Sequence, residues 1–179
     1  MKALSLTQPW ATLIAIGAKR IETRSWSTKH RDVVAIHAAR GFPRDCRDLC
    51  WDAPFRAALK SHIDFRGYSD IESHSIERFG LALGAIVATA DLVECFHTGD
   101  TLNYRNATRT VRCNGGYDYT ITPNEIAFGD YSPGRFAWVL KNILPLPRPI
   151  PCKGALGLWI VPSDIEQQIR AESTDVVAV

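Results

Sequence analysis

The apolar positions near the start of the chain change period twice. Leu4 and Leu6 alternate with polar residues and predict a strand that ends near Gln8. The next apolar positions have the spacing of one helix face: Trp10, Leu13, Ile14 and Gly17. From Lys19 the period returns to two, which predicts a second strand. Residues 5–26 therefore predict a strand end, a short helix and a strand, with Thr7 or Gln8 capping the helix and Gly17 ending it.

The rest of the pattern predicts further strands and a few helices. Runs rich in β-branched and aromatic residues predict strands at 32–39, 81–96, 135–142 and 156–161. Between them, helical spacing predicts short helices within 41–80, one capped by Asp52 and another near 70–79. A capping box of Ser163 and Glu166 predicts a C-terminal helix over 164–172.

Two stretches carry turn or breaker residues. Asn114-Gly115-Gly116 predicts a hairpin that joins 108–113 to 117–122. Proline recurs at every second position through 145–151, so this stretch is expected to be extended and not a central strand. The proline run also suits a protein-interaction segment.

The domain organisation follows from length and pattern. The 179 residues fit one domain, and no internal repeat or linker interrupts them. We expect a single domain over 1–172, with a helical insertion at 41–80, a hairpin insertion at 98–131 and a tail at 173–179.

Composition is that of an ordinary water-soluble globular protein. The chain is 46% hydrophobic, its net charge is +2, and no apolar run is long enough to span a membrane. The start lacks the apolar segment of a signal peptide. The five cysteines are odd in number and scattered, which favours a reducing interior and predicts a cytoplasmic protein. They lack the spacing of a zinc site, so we expect no metal.

The second predicted strand carries an unusual mixture of charged and aromatic side chains. Its alternation places Glu22, Arg24 and Trp26 on one face, with Lys19 at the preceding helix end. One interpretation is a cross-strand ion pair on a solvated face, with the Trp as a cover. The other is a pocket in which the cations hold phosphate or a carbonyl oxygen, the Trp stacks on a base, and the Glu orients the Arg or takes a proton.

These residues belong to a recognisable pattern. The sequence G-x-K-x-x-E-x-R at 17–24 resembles the signature of the ASCH domain family, and LSLTQPW at 4–10 and PCKGALGLW at 151–159 also resemble that family. The resemblance covers 2–40 and 80–161 with interruptions. It implies an α+β fold: a PUA-like, mostly antiparallel β-barrel with a short helix after the first strand, helical and hairpin insertions, and a C-terminal helix.

The resemblance also implies a nucleic-acid-binding module, since PUA barrels bind RNA. In that hypothesis the phosphate contacts come from Lys19, Arg24 and Lys153. A base would stack on Trp10, Trp26 or Trp138, and Glu22 would orient the Arg or accept from a base amino group. Gln8, at the end of the first strand, and His37, in an Ile-His-Ala stretch that lies near the cleft in similar sequences, complete the candidate binding set. The expected partner is RNA, another single-stranded nucleic acid or a modified nucleoside.

A hydrolase is the alternative function. Some ASCH-type proteins are amidohydrolases of acylated cytidine, and others are reported as ribonucleases. The amidohydrolase pattern has Thr where this chain has Glu22, and Thr23 faces the other side of the strand. A variant mechanism would use Lys19 to polarise a carbonyl and Glu22 to activate water. A protein-interaction domain is the second alternative.

Several questions stay open at this level. The residues do not choose between RNA, DNA and free nucleoside, decide whether the protein is an enzyme, or give its oligomeric state. Either Asp91 or Glu94 is a further candidate for the cleft. The sequence has no P-loop and no G-x-G-x-x-G turn after a strand, so no cofactor is expected.

Overall fold

The computed structural model describes residues 1–65, 79–100, 102–105, 108–112 and 118–177, and within them the chain is α+β. The strands are β1 Lys2–Leu6, β2 Ile21–Arg24, β3 Val33–Ala38, β4 Ala85–His97, β5 Leu102–Arg105, β6 Thr108–Arg112, β7 Asp118–Ile121, β8 Phe136–Pro151 and β9 Leu158–Ile160. The helices are α1 Trp10–Ala15, α2 Arg44–Leu49, α3 Phe55–Leu59, α4 Pro123–Phe128 and α5 Ser163–Val177. The predicted α+β class, with a short helix after the first strand and a C-terminal helix, is confirmed.

The strands form two sheets. The larger has the order β2-β8-β4-β3-β1-β9, and the smaller has the order β5-β6-β7. In the larger sheet β1 is parallel to β3 and antiparallel to β9, while β2 is antiparallel to β8. Strands β6 and β7 are antiparallel, as expected for the predicted hairpin. The Asn-Gly-Gly turn of that hairpin and the helix expected near 70–79 fall mainly outside the described residues.

The chain forms two compact units. The first contains Met1–Ala18, Val33–Ala90 and Ile143–Val179, and the second contains Lys19–Asp32 and Asp91–Asn142. Because the chain passes between units within β4 and β8, each of these long strands belongs partly to both.

Each unit has its own apolar cluster. In the first unit the buried members are Ala3, Ala35, Ile86, Leu146, Ile150, Val161 and Ile169. In the second unit they are Ile21, Phe96, Ile121, Tyr131, Ala137 and Val139. The clusters draw alternate residues from the strands, as the period of two predicts.

The start of α1 is satisfied by Gln8, one of the two residues predicted to cap it. Pro9 occupies the cap position and makes no side-chain capping bond. The Gln8 carboxamide oxygen instead accepts from the Thr12 amide at 3.1 Å. Gly17 has a φ of +73°, so it ends the helix in the left-handed conformation that was predicted for it.

Two predicted caps are wrong. Helix α3 begins after Pro54, and no side-chain cap bond is made there, so Asp52 contributes its backbone carbonyl, which accepts from Arg56 N at 2.9 Å. In α5 the Glu166 carboxylate does not close a capping box. It pairs with the amino terminus of Met1 and, at 2.7 Å, with Arg170. The Glu166 carboxylate pairs with these two cations and not with a backbone amide at the helix start, because charge-assisted bonds are stronger than a bond to a neutral amide.

The proline-rich stretch is extended, as predicted, and forms the second half of β8. Strand β2 pairs with β8 over Phe136–Val139, before the prolines begin. Because the prolines occur at alternate positions, their nitrogens all face one side of the strand. Cys152 N, on the other side, donates to Gly84 O at 2.9 Å. The remaining N–H groups of the stretch therefore lie on one side of the strand, the side on which Cys152 is bonded to Gly84.

Candidate functional site

A chain of charges runs along one face of β2 in the second unit. Lys19 Nζ lies 3.8 Å from Glu22 Oε2, and Arg24 Nε lies 3.2 Å from Glu22 Oε1. Lys19 is fully buried and also donates to the Ile21 carbonyl. The Arg24 side chain is 26% exposed. Glu22 thus bridges a buried cation and one that reaches solvent.

The buried lysine is electrostatically perturbed. Burial lowers the pKa of Lys19, because desolvation penalises the ammonium form, while Glu22 and Glu125 partly oppose that shift. A buried lysine with a lowered pKa beside a carboxylate is a feature of catalytic sites and also of structural ion-pair networks.

Glu125 is a central residue that the sequence analysis missed. It lies in α4, and its carboxylate accepts from the backbone N–H of Arg20 and, at 3.3 Å, from that of Ile21. Burial raises its pKa, with Lys19 acting against the rise. The available signal was Thr122-Pro123-x-Glu125, a helix start with Pro at the first position. Thr122 indeed caps α4 by accepting from Glu125 N at 3.2 Å.

The opposite face of β2 is structural. Thr23 Oγ1 accepts from Asp130 N at 2.9 Å, and the Thr23 carbonyl accepts from Arg135 Nη2 at 3.3 Å. This side chain therefore faces away from Glu22 and Arg24, as the strand alternation predicts.

Two tryptophans are stacked edge to face beside the charged strand. The Trp26 and Trp138 rings have centroids 4.5 Å apart at an interplanar angle of 90°. Trp138 is fully buried, lies opposite Glu22 in the β2–β8 register, and donates from Nε1 to the Trp26 carbonyl at 3.3 Å. Trp26 is half-buried. In this arrangement the buried Trp138 ring supports the Trp26 ring, and Trp26 is the one of the two that reaches solvent.

The other candidates from the sequence lie in the first unit. His37 Nε2 is 3.0 Å from the Cys152 carbonyl, and His37 Nδ1 is 3.1 Å from Ser5 Oγ. Burial lowers the pKa of His37, although the Cys152 bond acts against this. Lys153 is exposed next to this network. Ser5 and His37 meet because they are register partners in the parallel β1–β3 pair.

Gln8 and Trp10 have structural contacts in the same unit. Gln8 is fully buried and donates from Nε2 to Ala82 O at 2.9 Å. Trp10 packs edge to face on Phe55, with 6.2 Å between centroids. The nine predicted site residues therefore divide into two groups: Lys19, Glu22, Arg24, Trp26 and Trp138 in the second unit, and Gln8, Trp10, His37 and Lys153 in the first.

The two carboxylates left open in β4 have partners of their own. Asp91 Oδ2 accepts from Asn142 Nδ2 at 2.7 Å, and Glu94 pairs with Arg31 at 2.9 Å. Within the described part of the chain, no group of three or more His, Cys, Asp or Glu side chains has metal-site geometry. No described helix is long and apolar enough to cross a membrane.

Comparison with known proteins identifies the family. The model of the ASCH domain matches residues 4–146, which is most of the chain. The chain belongs to the ASCH domain family. This family has a PUA-like fold and is generally linked to RNA binding.

Relatives of this ASCH domain include activating signal cointegrator 1. The mouse protein (Mus musculus) is 33% identical over 94 residues, and the human protein (Homo sapiens) is 32% identical over the same length. The match covers 51% of this chain and only 14% of either cointegrator, so it concerns one part of those longer proteins.

Solved ASCH structures are also similar. ASCH from Zymomonas mobilis has 12% identity and a TM-score of 0.47, covering 95% of this chain and 93% of that chain. A mutant form of the same protein has 14% identity and a TM-score of 0.48, covering 95% and 94%. The family match includes the whole Lys19–Arg24 network of this ASCH domain, whereas Lys153 lies beyond its end.

Proposed function

We propose that this ASCH domain binds RNA or another single-stranded nucleic acid through the exposed ends of Arg24 and Trp26. These two residues are called the Arg24–Trp26 face below. The guanidinium would contact phosphate, and the indole would stack on one base. A modified nucleoside within a single-stranded nucleic acid would make the same two contacts.

The observation that carries the proposal is the way both groups are held. Arg24 Nε forms an ion pair with Glu22 Oε1 at 3.2 Å, so the guanidinium is oriented before a ligand arrives. The Trp26 ring stands on the buried Trp138 ring at 4.5 Å. Preorganised side chains lose little rotamer freedom on binding, which favours affinity from few contacts.

In this proposal Lys19 has a supporting role. Its ammonium group is fully buried and engaged by the Ile21 carbonyl and Glu22, so it supports Glu22 and does not itself reach a phosphate in this conformation. One phosphate contact is modest and salt-sensitive, while stacking adds about 1–3 kcal/mol per base. We therefore expect weak binding that falls as salt is raised.

The test is fluorescence anisotropy with labelled single-stranded RNA and DNA of mixed sequence, at low and moderate salt. Arg24→Ala and Trp26→Ala should each weaken binding by about tenfold, the loss expected for one charged or stacking contact. Arg31→Ala is the matched control, because Arg31 also pairs with a glutamate in the second unit. Equal loss in the control would refute the proposed face. Absence of any binding would favour a protein partner.

The pairing of Lys19 with Glu22 suits one alternative, a hydrolase that acts on RNA or an acylated nucleoside. Glu22 Oε2 lies 3.8 Å from Lys19 Nζ, and burial lowers the pKa of that lysine. In this alternative Glu22 activates water, and Lys19, which is buried in this conformation, would have to become accessible to the substrate before it could polarise a carbonyl oxygen. Product analysis on the same oligonucleotides and on acylated cytidine decides between the two. Turnover that is lost in Glu22→Gln while binding persists would establish the hydrolase.

A further inference from the structure

The edges of the six-stranded sheet differ in how their backbone groups are satisfied. At the β2 edge the Ile21 N–H donates to Glu125 Oε2 at 3.3 Å, and the Ile21 carbonyl accepts from Lys19 Nζ. The Thr23 carbonyl of the same edge accepts from Arg135 Nη2 at 3.3 Å. Side chains therefore occupy backbone groups that a further strand would need at this edge.

The second half of β8 is protected in another way. Strand β2 pairs with β8 only over Phe136–Val139, so one side of residues 143–151 has no neighbouring strand in the described part of the chain. Proline at every second position leaves that side without N–H donors. A strand added there would find acceptors but no donors, which disfavours pairing.

Strand β9, at the other end of the sheet, has neither protection. Val161 N donates to Met1 O at 3.1 Å, so the backbone groups of Trp159 and Val161 are turned toward β1. Those of Leu158 and Ile160 are turned away from β1, and no strand formed by the described residues lies on that side. Both residues therefore offer an N–H and a carbonyl to an added strand.

The same edge carries exposed apolar side chains. Ile160 is 79% exposed, and Leu156, just before the strand, is 98% exposed. An extended segment that paired with the backbone here would also remove these side chains from water, which is a favourable gain. The β9 edge is defined below as the outward backbone of Leu158 and Ile160 together with the side chains of Leu156 and Ile160.

Exposed cations flank the β9 edge. Lys2 lies opposite Ile160 in the β1–β9 register. Arg40 and Lys153 line a cavity that Leu156 also lines, and among the described residues that line it none carries a carboxylate. Positive charge is therefore present at both ends of the edge.

The carboxylates nearest in sequence do not cancel this charge. Helix α5, which follows β9, carries Asp164 and Glu166 in its first turn, and Glu166 is already paired with the amino terminus of Met1. The remaining positive charge favours an acidic partner over a second copy of this chain, which would bring two sets of the same cations together. A strand of three residues is also short for the about 800 Å² per partner that stable dimers bury.

We propose that the β9 edge binds an extended, acidic segment of a partner protein, which joins the sheet as a further strand. The backbone of that segment would bond to Leu158 and Ile160, and its alternate aliphatic side chains would cover Ile160 and Leu156. Its carboxylates would lie near the three flanking cations. The site shares no residue with the Arg24–Trp26 face, so either proposal can fail alone.

The experiment is an NMR titration of the isotope-labelled full chain with a capped octapeptide in which valine alternates with glutamate. We expect the amide signals of Leu158 and Ile160 to shift most and their hydrogen exchange to slow, since both become hydrogen-bonded donors. An analogue that is N-methylated throughout keeps the side chains and loses the donors, so it should bind at least about tenfold more weakly. A peptide with lysine in place of glutamate should also bind more weakly, because it repels the flanking cations.

Protein variants give the matched comparison. Ile160→Asp should weaken binding of the glutamate peptide at least about tenfold, by loss of apolar contact and by repulsion. Leu156→Asp, at a side chain that is almost fully exposed, should act in the same direction without threatening the fold. Leu144→Asp is the control, because Leu144 is also an exposed aliphatic residue of the first unit and lies outside the β9 edge.

Three results would overturn the proposal. The first is absence of peptide binding, or equal affinity for the peptide and its N-methylated analogue. The second is an equal loss of affinity in Leu144→Asp and in the two edge variants. The third is a dimer of the parent chain, seen by sedimentation, that Ile160→Asp dissociates, since the edge would then be occupied by a second copy.

Discussion

Gly154 lies against His37 with no room for a side chain. A Cβ atom at position 154 would stand 2.6 Å from His37 Nδ1 and 2.8 Å from Ser5 Oγ. Non-bonded Cβ atoms do not approach that closely, and the His37 ring has polar neighbours on both sides, with Nδ1 3.1 Å from Ser5 Oγ and Nε2 3.0 Å from the Cys152 carbonyl. The glycine therefore joins the loop after β8 to the β1–β3 pair at a fixed distance.

Gly154→Ala should destabilise the protein by about 1–3 kcal/mol, the usual result of forcing a methyl group into a filled space. Urea unfolding would measure the loss. Gly41→Ala is the control, since a Cβ there meets nothing within 4 Å, and its effect should stay within about 0.5 kcal/mol. If both variants unfold at the parent's midpoint, the contact with His37 is not a tight one.

His37 should make the free energy of unfolding depend on pH below 6.5. Burial lowers its pKa from 6.5, so as pH falls below 6.5 the unfolded chain takes up the proton before the folded protein does. The free energy of unfolding therefore decreases as pH falls from 6.5 through the lowered folded value. In His37→Gln this part of the decrease should be absent, which urea unfolding at a series of pH values would show. Parallel profiles for parent and variant would contradict the shift.

Lys19 should make the free energy of unfolding increase with pH in the alkaline range, as His37 does in the acid range. Burial lowers its pKa from 10.5, so over a range below 10.5 the unfolded chain binds the proton that the folded protein has released. The free energy of unfolding should rise as pH increases toward 10.5. Lys19→Met keeps the length of the side chain and should remove that rise. A variant that retained the full rise would assign it to other groups.

Glu125 should be important for stability despite its absence from the predicted site. Glu125→Ala leaves the backbone N–H groups of Arg20 and Ile21 without their carboxylate acceptor. The Ile21 N–H is buried, and a buried donor left unsatisfied costs about 1–3 kcal/mol, so a loss of at least about 1 kcal/mol is expected in thermal or urea unfolding. Asn124→Ala, an exposed position in the same helix, should be close to neutral. Equal losses in the two variants would mean that the helix, and not the carboxylate, matters.

Local pattern was sufficient for most of the elements. The change of period around Lys19 predicted α1 and β2, Gly17 ended the helix as expected, and alternation separated Glu22 from Thr23. Each of these depends on neighbours along the chain. Caps were less predictable, because Glu166 had a competing partner, the amino terminus of Met1, that is 165 residues distant.

The sequence by itself determined the family motif, the α+β class and which side chains share a face of each strand. These features depend on periodicity and turn residues, and both can be read from residues that are close together in the chain. Only the tertiary structure decided which side chains meet. It buried Lys19 and Trp138, brought Glu125 to the start of β2 across 104 residues, and divided the candidate site between two units. Burial and long-range pairing arise from packing of the whole chain, and no local pattern encodes how far a lysine lies from solvent.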